Sequence, residues 1–381
     1  MGARVAWITG VEETRFGQLD GEDTLSLMTD AAAGALADAG LARADIDGVL
    51  CSYSTALPHT MLATVFAEHF GLSPTYCHSV AVGGASGAAM VMLAKILVES
   101  GRCRHVLAVA GENRLTGVGK DGTVKGLAQV GHPDFEVPFG PTVPAYYGLV
   151  ASRYMHEYGT TEEDLAAIAV LLRDHAARNP KAHFRDPITV ADVMTSRVIA
   201  APLKLLDCCR ISDGAVALLI SREPLDGASV RIAGAAQGHT HQHVSAAPTL
   251  VSFGGGEAAK RAMAEAGITA RAVDIAGIYD PFTIALLIFL EEIGFCGRGE
   301  AGNAVRSGHF SFDGTLPLNT HGGLISFGHS GVAGGMAHIA EVYRQLAIKA
   351  GSRQIGDRTI GFVHNEGGVL SANVSLVLIR N

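Results

Sequence analysis

The chain carries one pattern twice, and that repetition limits its fold more than any other feature. The segment Ala37-Asp-Ala-Gly-Leu-Ala-Arg-Ala-Asp-Ile-Asp-Gly-Val-Leu50 returns as Ala264-Glu-Ala-Gly-Ile-Thr-Ala-Arg-Ala-Val-Asp-Ile-Ala-Gly-Ile-Tyr279, with two residues inserted. Each copy ends a helix on a glycine, which adopts the left-handed conformation that closes a helix, and then enters an apolar strand. The flanks agree. Arg4-Val-Ala-Trp-Ile-Thr-Gly resembles Val230-Arg-Ile-Ala-Gly as an opening strand, and Val106-Leu-Ala-Val-Ala-Gly-Glu resembles Ile360-Gly-Phe-Val-His-Asn-Glu as a later one. Chance likeness between two helix-turn-strand units is the alternative; two homologous α/β halves are the economical reading. The halves are set at residues 1–225 and 226–381. A long loop and helical insertion, at about 113–206, sits in the first half.

Helices are expected over residues 24–39, with Asp23 as N-cap, and over 86–100, buried and rich in alanine. The insertion should hold two more, 146–158 and 162–179, and the second half 283–293 and 332–350. A strand is expected at 359–363. With 48 % hydrophobic residues, only 17 % charged ones and 47 glycines, the chain suits large buried surfaces between layers, and oligomers. A net charge of −8 without a basic stripe excludes nucleic acid as a partner. The longest apolar run, 284–290, falls far short of the roughly 20 residues that span a bilayer, so no membrane segment is expected. The first residues lack the order of a signal peptide, which points to the cytoplasm. The six cysteines show no CxxC pair and no zinc spacing, so they are read as reduced thiols and no metal is expected.

The stretch Asn319-Thr-His-Gly-Gly-Leu-Ile-Ser-Phe-Gly-His329-Ser-Gly-Val-Ala-Gly-Gly335 crowds glycines around a histidine at the entry to the helix at 332–350. Bare backbone lets a ligand approach peptide N–H groups beside a positive helix terminus, which is how an oxyanion site is built. A glycine-rich turn that merely packs tightly is the plain alternative.

Five segments in order carry a family resemblance over essentially the whole chain: Gly83-Gly-Ala-Ser-Gly before the buried helix, Asp207-Cys-Cys with Ser212-Asp-Gly-Ala, Tyr279-Asp-Pro-Phe, Asn319 to Gly335, and His364-Asn-Glu-Gly-Gly. The chain resembles the thiolase superfamily, in the branch of sterol-carrier-protein-type thiolases and their lipid-transfer-like relatives. The resemblance implies a five-layered αβαβα fold of two similar halves. It also implies a coenzyme A thioester as substrate with no covalently bound cofactor, a homodimer, and a small companion protein with an OB-fold and a zinc ribbon.

It further implies where the chemistry should sit. The family's nucleophilic cysteine falls on Gly84, so the usual acyl-enzyme has no thiol to form on. Ser86 reads as a cap or core hydroxyl, and Cys208 and Cys209 as buried residues of a structural strand. His329, with Ser330 where proline usually stands, would donate to the thioester oxygen; His364 would act as acid, base or dipole, against a merely structural hydrogen bond. Tyr279 resembles the tyrosine of thiolase-like steroid side-chain aldolases, although Pro281 and His329 depart from that group's pattern. Asp280 reads as a cap on the helix at 283–293. Gly84, Asn319, Asn365, Gly367 and Gly368 are expected to contact substrate. Three activities remain open: retro-aldol or aldol chemistry on an acyl-CoA; an acetyl-CoA acetyltransferase or ketoacyl-CoA thiolase with a substitute nucleophile; and a non-catalytic acyl-CoA- or lipid-binding subunit.

Overall fold

The computed structural model describes residues 4–118, 122, 126, 130–225 and 229–380. Eleven strands are found among them: β1 (Trp7–Glu13), β2 (Gly48–Ser52), β3 (Tyr76–Val80), β4 (His105–Asn113), β5 (Val198–Ala200), β6 (Leu203–Lys204), β7 (Asp213–Ser221), β8 (Val230–His239), β9 (Ile275–Ile278), β10 (Ile360–Gly367) and β11 (Ala372–Arg380). Nine of them form one sheet in the order β3-β2-β4-β7-β1-β8-β11-β10-β9. That order reads outward from its middle as the same arrangement twice. β1, β7, β4 and β2 on one side match β8, β11, β10 and β9 on the other, with antiparallel, antiparallel and parallel pairings in the same sequence. The two halves of the sheet meet along β1 and β8, where Trp7 pairs with Arg231, Ile8 with Val230, and Ile232 N donates to Ala6 O at 2.9 Å.

The repeat seen in the sequence is repeated geometry. Gly40 and Gly267 close their helices, Thr24–Ala39 and Gly255–Ala266, at φ 66° and 71°. A side chain would be strained at either position. Asp23 caps the first of these helices, and the Ser26 hydroxyl answers by accepting from the Asp23 N–H.

Helices Ser86–Glu99 and Val332–Leu346 pack against strands of both halves and form the central layer. Helices Thr24–Ala39 and Leu62–Phe70 cover the outer face of the first half; Gly255–Ala266 and Thr283–Glu292 cover that of the second. This is the five-layered arrangement. Fourteen of the fifteen residues of Val332–Leu346, all but Arg344, are buried, because this helix of the central layer has neighbours on every side.

Several boundaries differ from expectation; the helix expected over 332–350 ends at Leu346, and the one expected over 162–179 ends at Ala177. The helix at 146–158 begins at Val143, because Pro144 is accommodated in a first turn whose N–H groups lack helical partners anyway. A short helix, Val190–Thr195, forms where none was expected, capped by Thr189. The strand expected to stop at Val363 runs on to Gly367, pairing residue by residue with β11 as far as Ala372.

Candidate active site

Five strands of the two halves end around one cavity of about 260 Å³. Its lining includes Tyr53 just after β2, Gly83 and Gly84 after β3, Arg114 after β4, Tyr279 after β9, and Glu366, Gly367 and Gly368 at the end of β10. Carboxyl ends of strands are where open α/β sheets hold ligands. The insertion contributes Val143 and Tyr147, and the glycine-rich loop contributes His329.

Backbone crossings explain the glycines. A Cβ on Gly83, which has φ 63°, would lie 2.9 Å from both Gly367 Cα and Gly368 N. The loop leading into the helix Ser86–Glu99 therefore crosses the end of β10 with no room for a side chain on either partner. Ser86 seals that turn, donating to Gly83 O at 2.6 Å and accepting from Val82 N at 2.9 Å. Its hydroxyl is spent within the turn itself.

Gly84 is the position that decides the chemistry. A Cβ there would lie 2.6 Å from Tyr279 Cζ and 2.6 Å from Glu366 O, and closer still to Tyr279 Oη. The phenol thus occupies the space in which a cysteine side chain would begin. Tyr279 Oη in turn pairs with His329 Nε2 at 3.0 Å. Burial, reinforced by Glu366, raises Tyr279 well above the usual phenol range, so it stays protonated. Burial and the charge of Arg114 lower His329 to about 3, so the imidazole is neutral. A neutral imidazole and a protonated phenol in contact can pass one proton between substrate and side chain.

Two further groups border this pair. Glu366 is buried at the end of β10; Tyr147 donates to its Oε1 and Leu370 N donates to Oε2 at 3.0 Å. Burial raises its carboxyl to about 7, against the lowering effect of those donors. Arg114 pairs with Glu112 at 2.8 Å and donates from Nε to Thr55 at 3.1 Å. Cys208 and Cys209 also line the cavity, in the turn before β7, whereas a structural strand was expected. Burial pushes Cys209 up to about 12 and Cys208 higher, and the Cys208 thiol donates to Lys204 O at 3.2 Å. Neither is a thiolate near neutral pH.

Other expected site residues lie elsewhere. His364 is not in the lining: its nitrogens meet Ser375 Oγ at 2.8 Å and Asn373 Oδ1 at 3.2 Å, and its ring packs 4.5 Å from Phe289. The strand continues past it, and residue 364 falls on the face turned to helix Thr283–Glu292. Its ring nitrogens are taken up by these side chains within the sheet. Asn319, at φ 46°, spends its amide on the strand end, accepting from Ile278 N at 2.7 Å and donating to Ile278 O at 2.8 Å and Asp280 Oδ1 at 3.2 Å. Asn365 is buried outside the lining, with Oδ1 close to Gly335. Asp280 does not cap the helix Thr283–Glu292, whose N-cap is Phe282. It accepts instead from Leu324 N at 2.9 Å and Ile325 N at 3.1 Å, and meets His338 at 3.0 Å. Part of the glycine-rich loop therefore spends its peptide N–H groups on Asp280 and not on a ligand. Its His329 end alone faces the cavity, held by bonds from His329 N to Arg210 O and from Ser212 N to His329 O, both 3.1 Å.

Sequence reasoning overlooked Glu366, Arg114 and Tyr147. Glu366 stands inside the His364-Asn-Glu-Gly-Gly motif, between Asn365 and Gly367, and its charge in a glycine-flanked apolar strand is the available signal. Arg114 immediately follows an apolar strand, a weaker sign of the same kind. Nothing local marked Tyr147. Among the described residues no group of His, Cys, Asp and Glu is arranged to hold a metal, and no helix is long and apolar enough to cross a membrane.

Two family models match almost the entire chain: the thiolase N-terminal domain over residues 6–224 and the thiolase C-terminal domain-like model over residues 236–380. The chain belongs to the thiolase superfamily. A steroid side-chain-cleaving aldolase of Thermomonospora curvata is 34 % identical over 393 residues, covering 97 % of each chain. An acetyl-CoA acetyltransferase of Methanothermobacter thermautotrophicus is 35 % identical over 374 residues, covering 95 % of this chain and 96 % of its own. The solved structure of the Ltp2-ChsH2(DUF35) aldolase superposes with a TM-score of 0.87 at 33 % identity, over 99 % of this chain and 98 % of that one. With sterol carrier protein 2 also among its relatives, this superfamily member falls in the branch of sterol-carrier-protein-type thiolases and side-chain aldolases.

Proposed function

We propose that this thiolase-superfamily enzyme cleaves, or in reverse forms, the Cα–Cβ bond of a β-hydroxyacyl-CoA by retro-aldol chemistry, without an acyl-enzyme. One observation carries the reading: the Tyr279 phenol, bonded to His329, fills the space above Gly84 where an acylated thiol would have to stand. Retro-aldol cleavage needs a base for the hydroxyl proton and a stabiliser for the thioester enolate, and no covalent nucleophile.

The steps balance on residues of the cavity. The Glu366 carboxylate takes the β-hydroxyl proton; its proton affinity near neutrality suits that task. The Cα–Cβ bond breaks, leaving a ketone or aldehyde, and its electron pair passes into the thioester carbonyl as an enolate. The Tyr279–His329 pair gives a proton to Cα, yielding the shortened acyl-CoA, and the proton held on Glu366 then passes through solvent back to the pair, restoring both groups. Gly84, Gly367 and Gly368 line the cavity that the thioester would enter. The likeness to the Thermomonospora side-chain-cleaving aldolase supports this reading.

Incubating the protein with a panel of β-hydroxyacyl-CoA thioesters tests it, alone and with the product of a neighbouring open reading frame. Release of a carbonyl compound together with a shorter acyl-CoA is expected. A stable acyl adduct on the protein, found by mass spectrometry, would favour acyl transfer instead, with Cys209 the first residue to inspect because its thiol borders the cavity. We further propose a homodimer working in the cytoplasm with a small companion protein, in halves divided near residue 225. The relative solved as Ltp2-ChsH2(DUF35) supports the companion, and Phe135 and Phe139 of the insertion, 68 % and 85 % exposed, offer it apolar contact.

A further inference from the structure

We propose that Arg114 is a catalytic residue whose free guanidinium edge donates to the thioester oxygen as the acyl-CoA enolate forms. The inference rests on the retro-aldol reading and adds the group that would carry the developing charge.

Arg114 is 3 % exposed, yet its side chain borders the cavity. Its fork is fixed on one side only. Nε donates to Thr55 Oγ1 at 3.1 Å and Nη2 to Glu112 Oε1 at 2.8 Å, while among the described residues Nη1 has no hydrogen-bond partner. Glu112 is anchored in turn by Thr55 N at 2.7 Å and Ala56 N at 3.1 Å, so the guanidinium is held in one orientation before any ligand arrives. A pre-aimed donor with no reorganisation left to do is what stabilises a developing oxyanion. Of the described residues lining the cavity, only Arg114 carries a permanent positive charge, because His329 is neutral.

The glycine-rich loop is shaped around this pair. Gly331 sits at φ 54°, and a Cβ there would lie 3.0 Å from both Arg114 Nη2 and Glu112 Cδ. Ser330 Oγ meets Glu112 O at 2.8 Å. The loop that presents His329 therefore also closes over the Arg114–Glu112 pair, which brings the cation to the reacting centre. Its charge reaches both members of the proton-transfer pair, lowering His329 and opposing the rise of Tyr279. A permanent substrate carboxylate is a poorer occupant. Glu112 already neutralises the guanidinium, and a second full anion would leave the buried group with net negative charge. A neutral carbonyl that gains charge only as the bond breaks suits a donor whose own charge is already balanced.

The experiment reads enolate formation without knowledge of the acyl group: exchange of the Cα protons of acetyl-CoA and propionyl-CoA for deuterium in D₂O, followed by mass spectrometry. The wild-type protein, with its companion if one is needed, is compared with R114Q, with the charge-balanced double variant E112Q/R114Q, and with T55V, which loosens Nε while leaving both charges. Thermal unfolding checks that each is folded. Exchange is expected to fall about 10²–10³-fold in both Arg114 variants and about tenfold in T55V, with acyl-CoA affinity nearly unchanged. Unaltered exchange in folded Arg114 variants, or a loss confined to affinity, overturns the assignment. Absence of exchange in the wild-type protein would instead overturn the enolate chemistry itself, and this inference with it.

Discussion

Replacing Gly84 by alanine tests the central geometry. The new Cβ would start 2.6 Å from Tyr279 Cζ and from Glu366 O, where ordinary contacts begin near 3.4 Å, so something must move by almost 1 Å. The carbonyl of Glu366 cannot: β10 is paired with β11 at that residue, opposite Asn373. The backbone of Tyr279 is likewise held, by a 2.9 Å bond from its N–H to His364 O. The Tyr279 side chain must therefore swing and break its bond to His329. Overpacking of this kind costs about 1–3 kcal/mol and the lost hydrogen bond about 1 more. For a chain of 381 residues that total lowers Tm by roughly 2–5 °C. Calorimetry and chemical denaturation would measure it, alongside carbonyl release. The double variant G84A/Y279A, in which the obstruction is gone, should be less destabilised than the sum of its parts by roughly 1–3 kcal/mol. Wild-type stability in G84A, or strict additivity in the cycle, would refute the claim that the phenol fills the nucleophile's space. By the same reasoning G84C should form no acyl adduct while Tyr279 is present.

Other perturbations separate the roles of the remaining groups. Tyr279→Phe should lower kcat by about 10²–10⁴-fold in steady-state kinetics while destabilising the fold by only about 1 kcal/mol, because the proton-transfer oxygen and its bond to His329 are all that is removed. Glu366 is raised by burial from 4.5 to about 7, so between those values the folded state holds the extra proton. Its contribution to stability is full below pH 4.5 and lost as pH rises through 7, about 3 kcal/mol in all, and Glu366→Gln should flatten that part of the stability–pH curve. Asp280→Ala strands the N–H groups of Leu324 and Ile325 together with Asn319 and His338, and should cost about 3–5 kcal/mol by urea denaturation. His364→Gln should keep kcat within a few-fold while destabilising the fold by about 1–2 kcal/mol, since its ring serves Ser375 and Asn373 and not the cavity.

The sequence by itself determined the duplicated architecture, because periodicity and glycine stops are local properties that each half expresses alone. It also determined the missing thiol, since Gly84 at the head of a buried helix has no side chain to offer. It brought Tyr279 and His329 forward as candidates through the residues around them. Only the tertiary structure decided that their side chains meet over Gly84, a contact between positions 50 residues apart in the chain. It also decided that His364 looks away, because the facing of a strand residue depends on where the strand runs and ends. Asp280 shows the same limit: a carboxylate before a helix reads as a cap, and nothing in the chain announces that the glycine-rich loop will supply its donors. Glu366, Tyr147 and Arg114 come from different elements of the two halves and the insertion. Their convergence on one cavity follows from how layers pack across the molecule, which no local pattern encodes.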